Sequence, residues 1–137
     1  MRITVDTNVL ISATFWKGNS FRIIEKVENK ELDLVLSKDI IKEFIDVLNY
    51  EEIQDKIKDK NLEMQKTVED ILSISIIIEP QQKFDIIKDD VKDNIIVECA
   101  FEGKSDYIIT NDKHLLKLKE FRNIKIINPE EFLKSFN

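Results

Sequence analysis

Short runs rich in Ile and Val alternate with amphipathic stretches along this chain, and the alternation restricts the fold more than any other feature. Strands that alternate with helices are typical of βαβ units and a parallel sheet. The sequence predicts strands at Ile3–Asp6, Asp33–Leu36, Ile76–Glu79, Asp106–Thr110 and Lys125–Asn128. It predicts helical stretches near residues 19–30, 38–49, 51–75, 93–103, 112–119 and 129–136. The expected fold class is α/β, a mostly parallel sheet of about five short strands flanked by helices on both faces.

The domain organisation follows from length and from the absence of a visible linker. A chain of 137 residues can bury a core of its own, so residues 1–137 are predicted to form one domain. The segment 51–75 is predicted to be a two-helix insertion. The single Cys99 excludes an intrachain disulfide and is expected to be an inert, small hydrophobic residue. We see no secretory signal and no apolar stretch of membrane-spanning length, so we expect a cytoplasmic protein with no membrane partner.

Two acidic residues stand just past predicted strands. Asp6 ends the first strand, and Asp112 follows the fourth. Ligand sites in open parallel sheets lie beyond the carboxyl ends of the strands, so these side chains are expected to meet. Crowded carboxylates repel one another, and a hard divalent cation held by oxygen ligands relieves the repulsion. Asp106 precedes its strand, which places it at the opposite edge in a turn or capping role.

Two further acids lie on predicted helices. At about 100° per residue, Glu43 falls at the border of the apolar face of the helix near 38–49, where it can lean into a cleft. Asp93 falls on the buried stripe of the next informative helix, in its first turn, where the helix dipole favours the ionised form. Glu98 and Glu102 fall on the opposite, polar face and are expected to be solvated.

Each acid also has a simpler explanation when it is taken alone. Glu43 could form a surface ion pair, and Asp93 or Asp112 could serve only as a helix cap. Asp90 lies in a loop that could reach the site, and its role stays open. The functional interpretation therefore depends on the acids meeting at one edge. Small polar residues beside them could orient carboxylates, hold waters or contact phosphate: Thr7, Asn8, Asn94, Thr110 and Asn111.

Two other residues leave alternatives open. His114 is the only histidine and lies two residues after Asp112, so it could act as a general acid. A lone histidine in this setting is more often a helix-surface residue, and we favour that interpretation. Trp16, next to Lys17, could stack on a base and contact phosphate, or it could be a packing anchor or a dimer contact.

Taken together and in order, these motifs resemble the PIN-domain nucleases. The similarity extends over roughly residues 3–128 and includes Asp6-Thr7-Asn8, Glu43, Asp93-Asn94 with the following helix, and Asp106 through Asp112. The resemblance implies an endoribonuclease that depends on Mg²⁺ or Mn²⁺, with Asp6, Glu43, Asp93 and Asp112 carrying the metal. It is greatest with VapC-like toxin components of prokaryotic toxin–antitoxin modules. It thus implies an RNA substrate, a homodimer and a small antitoxin that blocks the site. Asn111 stands where small or basic residues are common in the family, which affects only substrate contacts.

Other functions compete with this interpretation. A net charge of −6 argues against a nucleic-acid partner, unless several of the acids are ligands of a cation. A housekeeping RNA-processing nuclease of the same family would share the acids. A phosphatase of the haloacid-dehalogenase type needs a second acid two residues after the first, where Asn8 stands. A catalytically inactive binding module is disfavoured because all four acids are present.

Overall fold

A computed structural model describes residues 1–87 and 90–136 of the chain. The strands there are β1 (Arg2–Val5), β2 (Asp33–Ser37), β3 (Ser75–Ile78), β4 (Tyr107–Ile109), β5 (Glu120–Phe121) and β6 (Ile124–Ile127). The helices are α1 (Thr7–Phe15), α2 (Asn19–Glu28), α3 (Lys38–Leu48), α4 (Glu51–Asp59), α5 (Met64–Ser73), α6 (Val91–Glu102), α7 (Lys113–Leu118) and α8 (Pro129–Phe136). The strands form one sheet in the order β3-β2-β1-β4-β6-β5, and only β5 runs antiparallel to its neighbour.

Helices cover both faces of this sheet. Side chains alternate between the two faces along each strand, so the contacts of consecutive residues show which elements pack on each face. The Thr4 hydroxyl lies 2.8 Å from the Ser105 hydroxyl and 4.0 Å from Cys99 Sγ of α6. On the other face, the Tyr107 ring packs edge-on against Phe132 of α8, with the ring centroids 5.2 Å apart. The predicted α/β class, with a mostly parallel sheet and flanking helices, is confirmed.

The close packing of α6 on the sheet depends on a glycine at its end. Gly103 is the C-cap of α6 and lies against β2. A Cβ atom at this position would overlap Val35 Cγ1, so a larger residue would need the helix to shift. Because α6 also carries Asp93 at its other end, this contact helps to set where that carboxylate lies.

The central strands β1 and β4 bring two chain segments to the same edge. Ile3, Val5 and Ile109 have no exposed surface, and Val5 pairs with Ile109 in the parallel ladder. The residues that follow these two strands therefore leave the sheet side by side, as the parallel arrangement requires.

The structure differs from the predicted elements in three respects. Helix α1 was not predicted, because its buried residues surround the helix and leave no amphipathic period to recognise. The two-residue strand β5 was also not predicted, and the other strand ends differ from prediction by about one residue. The segment 51–75 forms α4 and α5 with a break between them, as predicted. Across the described residues, none of the helices combines the length and apolar character needed to cross a bilayer.

Candidate active site

Asp6 is the first residue after β1 and is the N-cap of α1. Its backbone N–H donates to Ile109 O at 3.0 Å, which extends the β1–β4 pairing by one residue. Its Oδ1 accepts a hydrogen bond from Asn8 N at 3.3 Å, and its Oδ2 accepts one from the Thr110 hydroxyl at 2.7 Å. Burial raises the pKa of the Asp6 carboxyl, although the hydrogen bond from Thr110 acts in the opposite direction. The carboxylate is therefore held firmly at the C-terminal edge of the sheet.

Asp112 lies beside Asp6, shortly after the end of β4. The Thr110 hydroxyl that donates to Asp6 also accepts a hydrogen bond from Asp112 N at 2.9 Å, so one hydroxyl links the two segments. Asp112 Oδ1 caps α7 by accepting from His114 N at 2.8 Å and from Leu115 N at 3.2 Å. The negative charge of Asp112 also raises the pKa of Asp6. Asp112 thus caps a helix and at the same time contributes charge to the acidic edge, which is the end of the sheet where Asp6, Glu43, Asp93 and Asp112 lie.

Asp93 is the most buried of the four acids, with 6% of its surface exposed. It lies in the first turn of α6, where its N–H donates to Asp90 Oδ1, the N-cap, at 3.1 Å. Within the described residues, Asp93 Oδ2 is buried and has no hydrogen-bond partner. Burial, and then the charges of Asp112 and Asp90, raise the pKa of Asp93 from 3.8 to about 7. A buried carboxylate oxygen without a donor is costly, and a bound cation would satisfy it.

The pKa of Asp93 reflects effects that act against the helix dipole considered in the sequence. The helix dipole was expected to favour the ionised form, and it contributes about 0.3–1 kcal/mol at an exposed helix end. In the structure, the loss of water and the neighbouring acids outweigh it, because both disfavour the charged form.

Glu43 projects from α3 toward the same edge. Its side chain is 21% exposed and lies 3.9 Å from Lys92 Nζ, so part of the simpler explanation, a surface ion pair, is correct. Burial raises the pKa of Glu43, the charge of Lys92 lowers it, and the charge of Asp6 raises it. The Thr7 hydroxyl also lies close to Glu43, but it forms no hydrogen bond with any of the described residues. Glu43 is therefore both an ion-pair partner and a member of the acidic edge.

A family model described as the PIN domain matches residues 2–114, which include all four acids. The chain belongs to the PIN-domain family. Proteins of this family are nucleases, and they generally use divalent metal ions.

Among solved structures, one similar protein is in the crystal structure of VapBC2 from Rickettsia felis bound to a DNA fragment from their promoter. The two chains align with a TM-score of 0.62 at 17% sequence identity, over 93% of this chain and 98% of the other. At that identity the similarity supports a shared fold. No curated protein matches the sequence significantly.

Two of the small polar residues of this PIN domain line an open depression next to the acids. Asn8 and Asn111 are both exposed there, and Asp112 lies between them and α7. Lys113 and His114 complete the lining of the depression. These side chains are exposed, whereas Thr110 is fully buried and hydrogen-bonds to Asp6 and to the backbone of Asp112.

Asn94 uses its side chain in a different place. Its Oδ1 accepts hydrogen bonds from Ile86 N and Ile87 N, both at 3.0 Å, and its Nδ2 donates to Ile87 O at 3.1 Å. The amide group therefore anchors the backbone at Ile86 and Ile87 to the first turn of α6. Asn94 is buried, and its side chain is engaged by the backbone of residues 86–87.

The prediction that Glu98 and Glu102 are solvated was wrong for Glu98. Glu98 is 4% exposed and accepts a hydrogen bond from Phe84 N at 2.8 Å, while Glu102 accepts one from Gln81 N at 2.9 Å. The irregular segment 79–87 covers this face of α6, and its backbone N–H groups have no strand partner. The polar face of the helix thus faces another part of the chain instead of water.

Three residues lie away from the acids. Asp106 accepts a hydrogen bond from Arg2 N at 3.0 Å at the opposite end of β4, as its position before the strand predicted. Trp16 is 48% exposed, with Lys56 Nζ 4.4 Å from its ring centroid, and α1 carries it about 13 Å from Asp6. Cys99 is fully buried, and burial raises the pKa of its thiol to about 12, consistent with an inert residue.

Asp90 and His114 are the residues near the acids that the sequence did not assign to the site. His114 is exposed on α7, as expected for a helix-surface residue, yet it faces the N-terminus of α6. The local signals were the spacing of Asp90 and Asp93 and the position of His114 two residues after Asp112. The proximity of His114 depends on how α6 and α7 pack at the sheet edge, which no short motif encodes.

Proposed function

We propose that this PIN domain, residues 1–137, is a divalent-cation-dependent endoribonuclease and the toxin of a toxin–antitoxin module. One observation carries the proposal: Asp93 Oδ2 is buried without a donor while the charges of Asp112 and Asp6 act on the same carboxyl. Such an arrangement is unfavourable by itself, and a cation would turn repulsion into ligation.

The donor set suits Mg²⁺ or Mn²⁺, because both prefer carboxylate oxygen and water. Asp6, Asp93 and Asp112 would hold the ion, and Glu43 would be a fourth ligand or would position the attacking water. When bound, the cation would supply charge neutralisation at the phosphate and would lower the pKa of a nearby water.

The remaining chemistry falls to side chains of this chain. In the second of these roles, positioning the attacking water, Glu43 accepts the proton of the water as the water attacks phosphorus; the bond to the leaving oxygen breaks, and solvent protonates that oxygen. Burial raises the pKa of Glu43, which makes it a better proton acceptor than an exposed glutamate. Thr110 keeps Asp6 in place through its 2.7 Å hydrogen bond. Asn8 and Asn111, exposed in the adjacent depression, would donate to phosphate oxygens.

The toxin role is supported by the resemblance of the motifs and by the shared fold with VapBC2 from Rickettsia felis. An unrestrained ribonuclease would damage its own cell, so it needs an inhibitor. A cleft lined with carboxylates fits an arginine of a small antitoxin, because the guanidinium pairs with carboxylates in bidentate fashion. We further propose that the protein acts as a homodimer in the cytoplasm on an RNA substrate.

The decisive experiment is cleavage of a mixed RNA pool by the purified protein. We expect fragments with Mn²⁺ or Mg²⁺ and none with EDTA, and we expect Asp6→Asn, Asp93→Asn and Asp112→Asn each to remove most of the activity. Cleavage that continues undiminished in EDTA would rule out the metal mechanism. Hydrolysis of p-nitrophenyl phosphate without RNA cleavage would favour the phosphatase. RNA cleavage without any effect on growth would favour a housekeeping nuclease.

A further inference from the structure

His114 lies closer to the acids than its place on an exposed helix suggests. One ring nitrogen of His114 and one carboxylate oxygen from each of Asp90 and Asp93 all lie within 4.8 Å of one another. The group includes one buried, one half-buried and one exposed residue, and the exposed member, His114, also lines the depression beside the acids.

Proximity alone does not make a site, since acids cluster often without binding anything. The second observation is the state of Asp93, which is more than nine-tenths buried and has an oxygen without a hydrogen-bond partner among the described residues. Asp90 Oδ1 is already engaged by Asp93 N at 3.1 Å, so it holds the helix start and the carboxylate in one place. A neutral imidazole nitrogen is an electron-pair donor of the kind that transition metals bind.

We propose that His114 joins Asp90 and Asp93 in ligating a divalent cation, and that this nitrogen ligand gives the site a preference for transition-metal ions such as Zn²⁺ or Mn²⁺ over Mg²⁺. The biological meaning of the preference rests on the nuclease function proposed above, since Asp93 would be shared with the catalytic ion. The ligation itself is independent of RNA cleavage.

The geometry requires only a small adjustment. An ion at about 2.1 Å from each ligand needs the ligand atoms within about 4.2 Å of one another. The three ligand atoms lie within 4.8 Å of one another, and His114 is the exposed member whose side chain is free to adjust. Two carboxylate oxygens and one imidazole nitrogen leave further positions for water, which suits an ion that also meets a substrate.

The preference has a chemical reason. Mg²⁺ demands oxygen ligands and keeps its water shell, so an imidazole adds little to its binding. Along the first transition row the affinity for nitrogen ligands increases from Mn²⁺ toward Cu²⁺, and Zn²⁺ also binds imidazole well. The rest of the chain offers no competing imidazole, because His114 is the only histidine, and Cys99 is buried.

A test uses this single histidine as the reporter. In long-range ¹H–¹⁵N spectra of the full chain at constant neutral pH, one equivalent of Zn²⁺ should shift the His114 ring nitrogens, and Mg²⁺ should not. Calorimetric titration should show Zn²⁺ affinity reduced by about tenfold or more in His114→Ala and in Asp90→Asn. Mg²⁺ affinity should change by less than about twofold in His114→Ala. Lys117→Ala, another exposed residue of α7, is the matched control and should bind Zn²⁺ like wild type.

Two outcomes separate this inference from the proposed function. If the His114 signals stay in place with Zn²⁺ and His114→Ala binds Zn²⁺ as tightly as wild type, the inference is wrong even when RNA cleavage is observed. If Zn²⁺ shifts the His114 signals but no cation supports RNA cleavage, the inference stands and the nuclease assignment fails.

Discussion

Replacing Asp93 by asparagine should stabilise the metal-free protein, and more so at high pH than at low pH. The pKa of Asp93 is raised from 3.8 to about 7 by burial and by its acidic neighbours. An acid whose folded pKa is raised binds more protons in the folded than in the unfolded state. The contribution of Asp93 to stability is therefore most favourable below pH 3.8 and becomes less favourable as the pH increases toward 7. Asparagine removes this loss, because it carries no charge at any of these pH values.

The size of the effect follows from the two pKa values. The whole shift corresponds to about 4 kcal/mol, and the slope is at most about 1.4 kcal/mol per pH unit. From about pH 5 to about pH 8 the ceiling is thus about 2.7 kcal/mol, because the slope fades above the folded pKa of about 7. Solvent at the open edge of the site screens the charges, so we expect about 1–1.5 kcal/mol, or about 3–6 °C in melting temperature.

The assay is urea denaturation of wild type and Asp93→Asn in EDTA, at about pH 5 and about pH 8. The variant's advantage over wild type should increase by about 1–1.5 kcal/mol between the two conditions. Asp106→Asn is the control, because it lies at the opposite end of β4 and its asparagine can still accept the hydrogen bond from Arg2 N. A difference between Asp93→Asn and wild type that does not depend on pH would refute the reasoning. Saturating Mn²⁺ should make wild type more stable than Asp93→Asn, because only wild type retains the full set of metal ligands.

Three further predictions concern the cell, the bridging hydroxyl and the segment over α6. Expression of the wild-type chain alone should arrest growth, and Asp6→Asn at matched expression should relieve it; equal growth of the two would end the toxin proposal. Thr110→Val should destabilise the fold by about 1–3 kcal/mol in thermal melts, because Asp6 Oδ2 loses its hydrogen-bond donor and Asp112 N loses its acceptor. Glu98→Ala should speed hydrogen exchange at the Phe84 amide, while Glu98→Gln, which retains an acceptor, should leave it protected; equal protection in both variants would contradict this role.

The acidic edge illustrates how a site can oppose the stability of its own fold. Asp93 sits on α6, which is packed closely on the sheet through Gly103 and Cys99, so the position of its carboxyl is tied to that of the helix. The surrounding structure therefore holds a group whose ionised form is unfavourable. Strain of this kind is common at functional sites, where a ligand relieves it.

Much of the fold was predictable because local patterns were consistent with the tertiary arrangement. The strands at β1, β2 and β4 are short apolar runs bounded by polar residues, and β2 leads to a recognisable helix. The opposite ends assigned to Asp6 and Asp106 follow from strand direction alone. Helix α1 escaped prediction because it is buried on several sides, and a helix without a polar face has no period to detect.

The sequence by itself determined the class of fold and the edge at which the acids meet, because strand direction and the position of an acid relative to its strand are local properties. Only the tertiary structure decided the electrostatics of that edge. The raised pKa of Asp93, the burial of Glu98 under residues 79–87 and the approach of His114 to Asp90 all depend on which surfaces pack together. Packing sets how much water reaches a charge and which charges it faces, and neither quantity can be read from the spacing of residues along the chain.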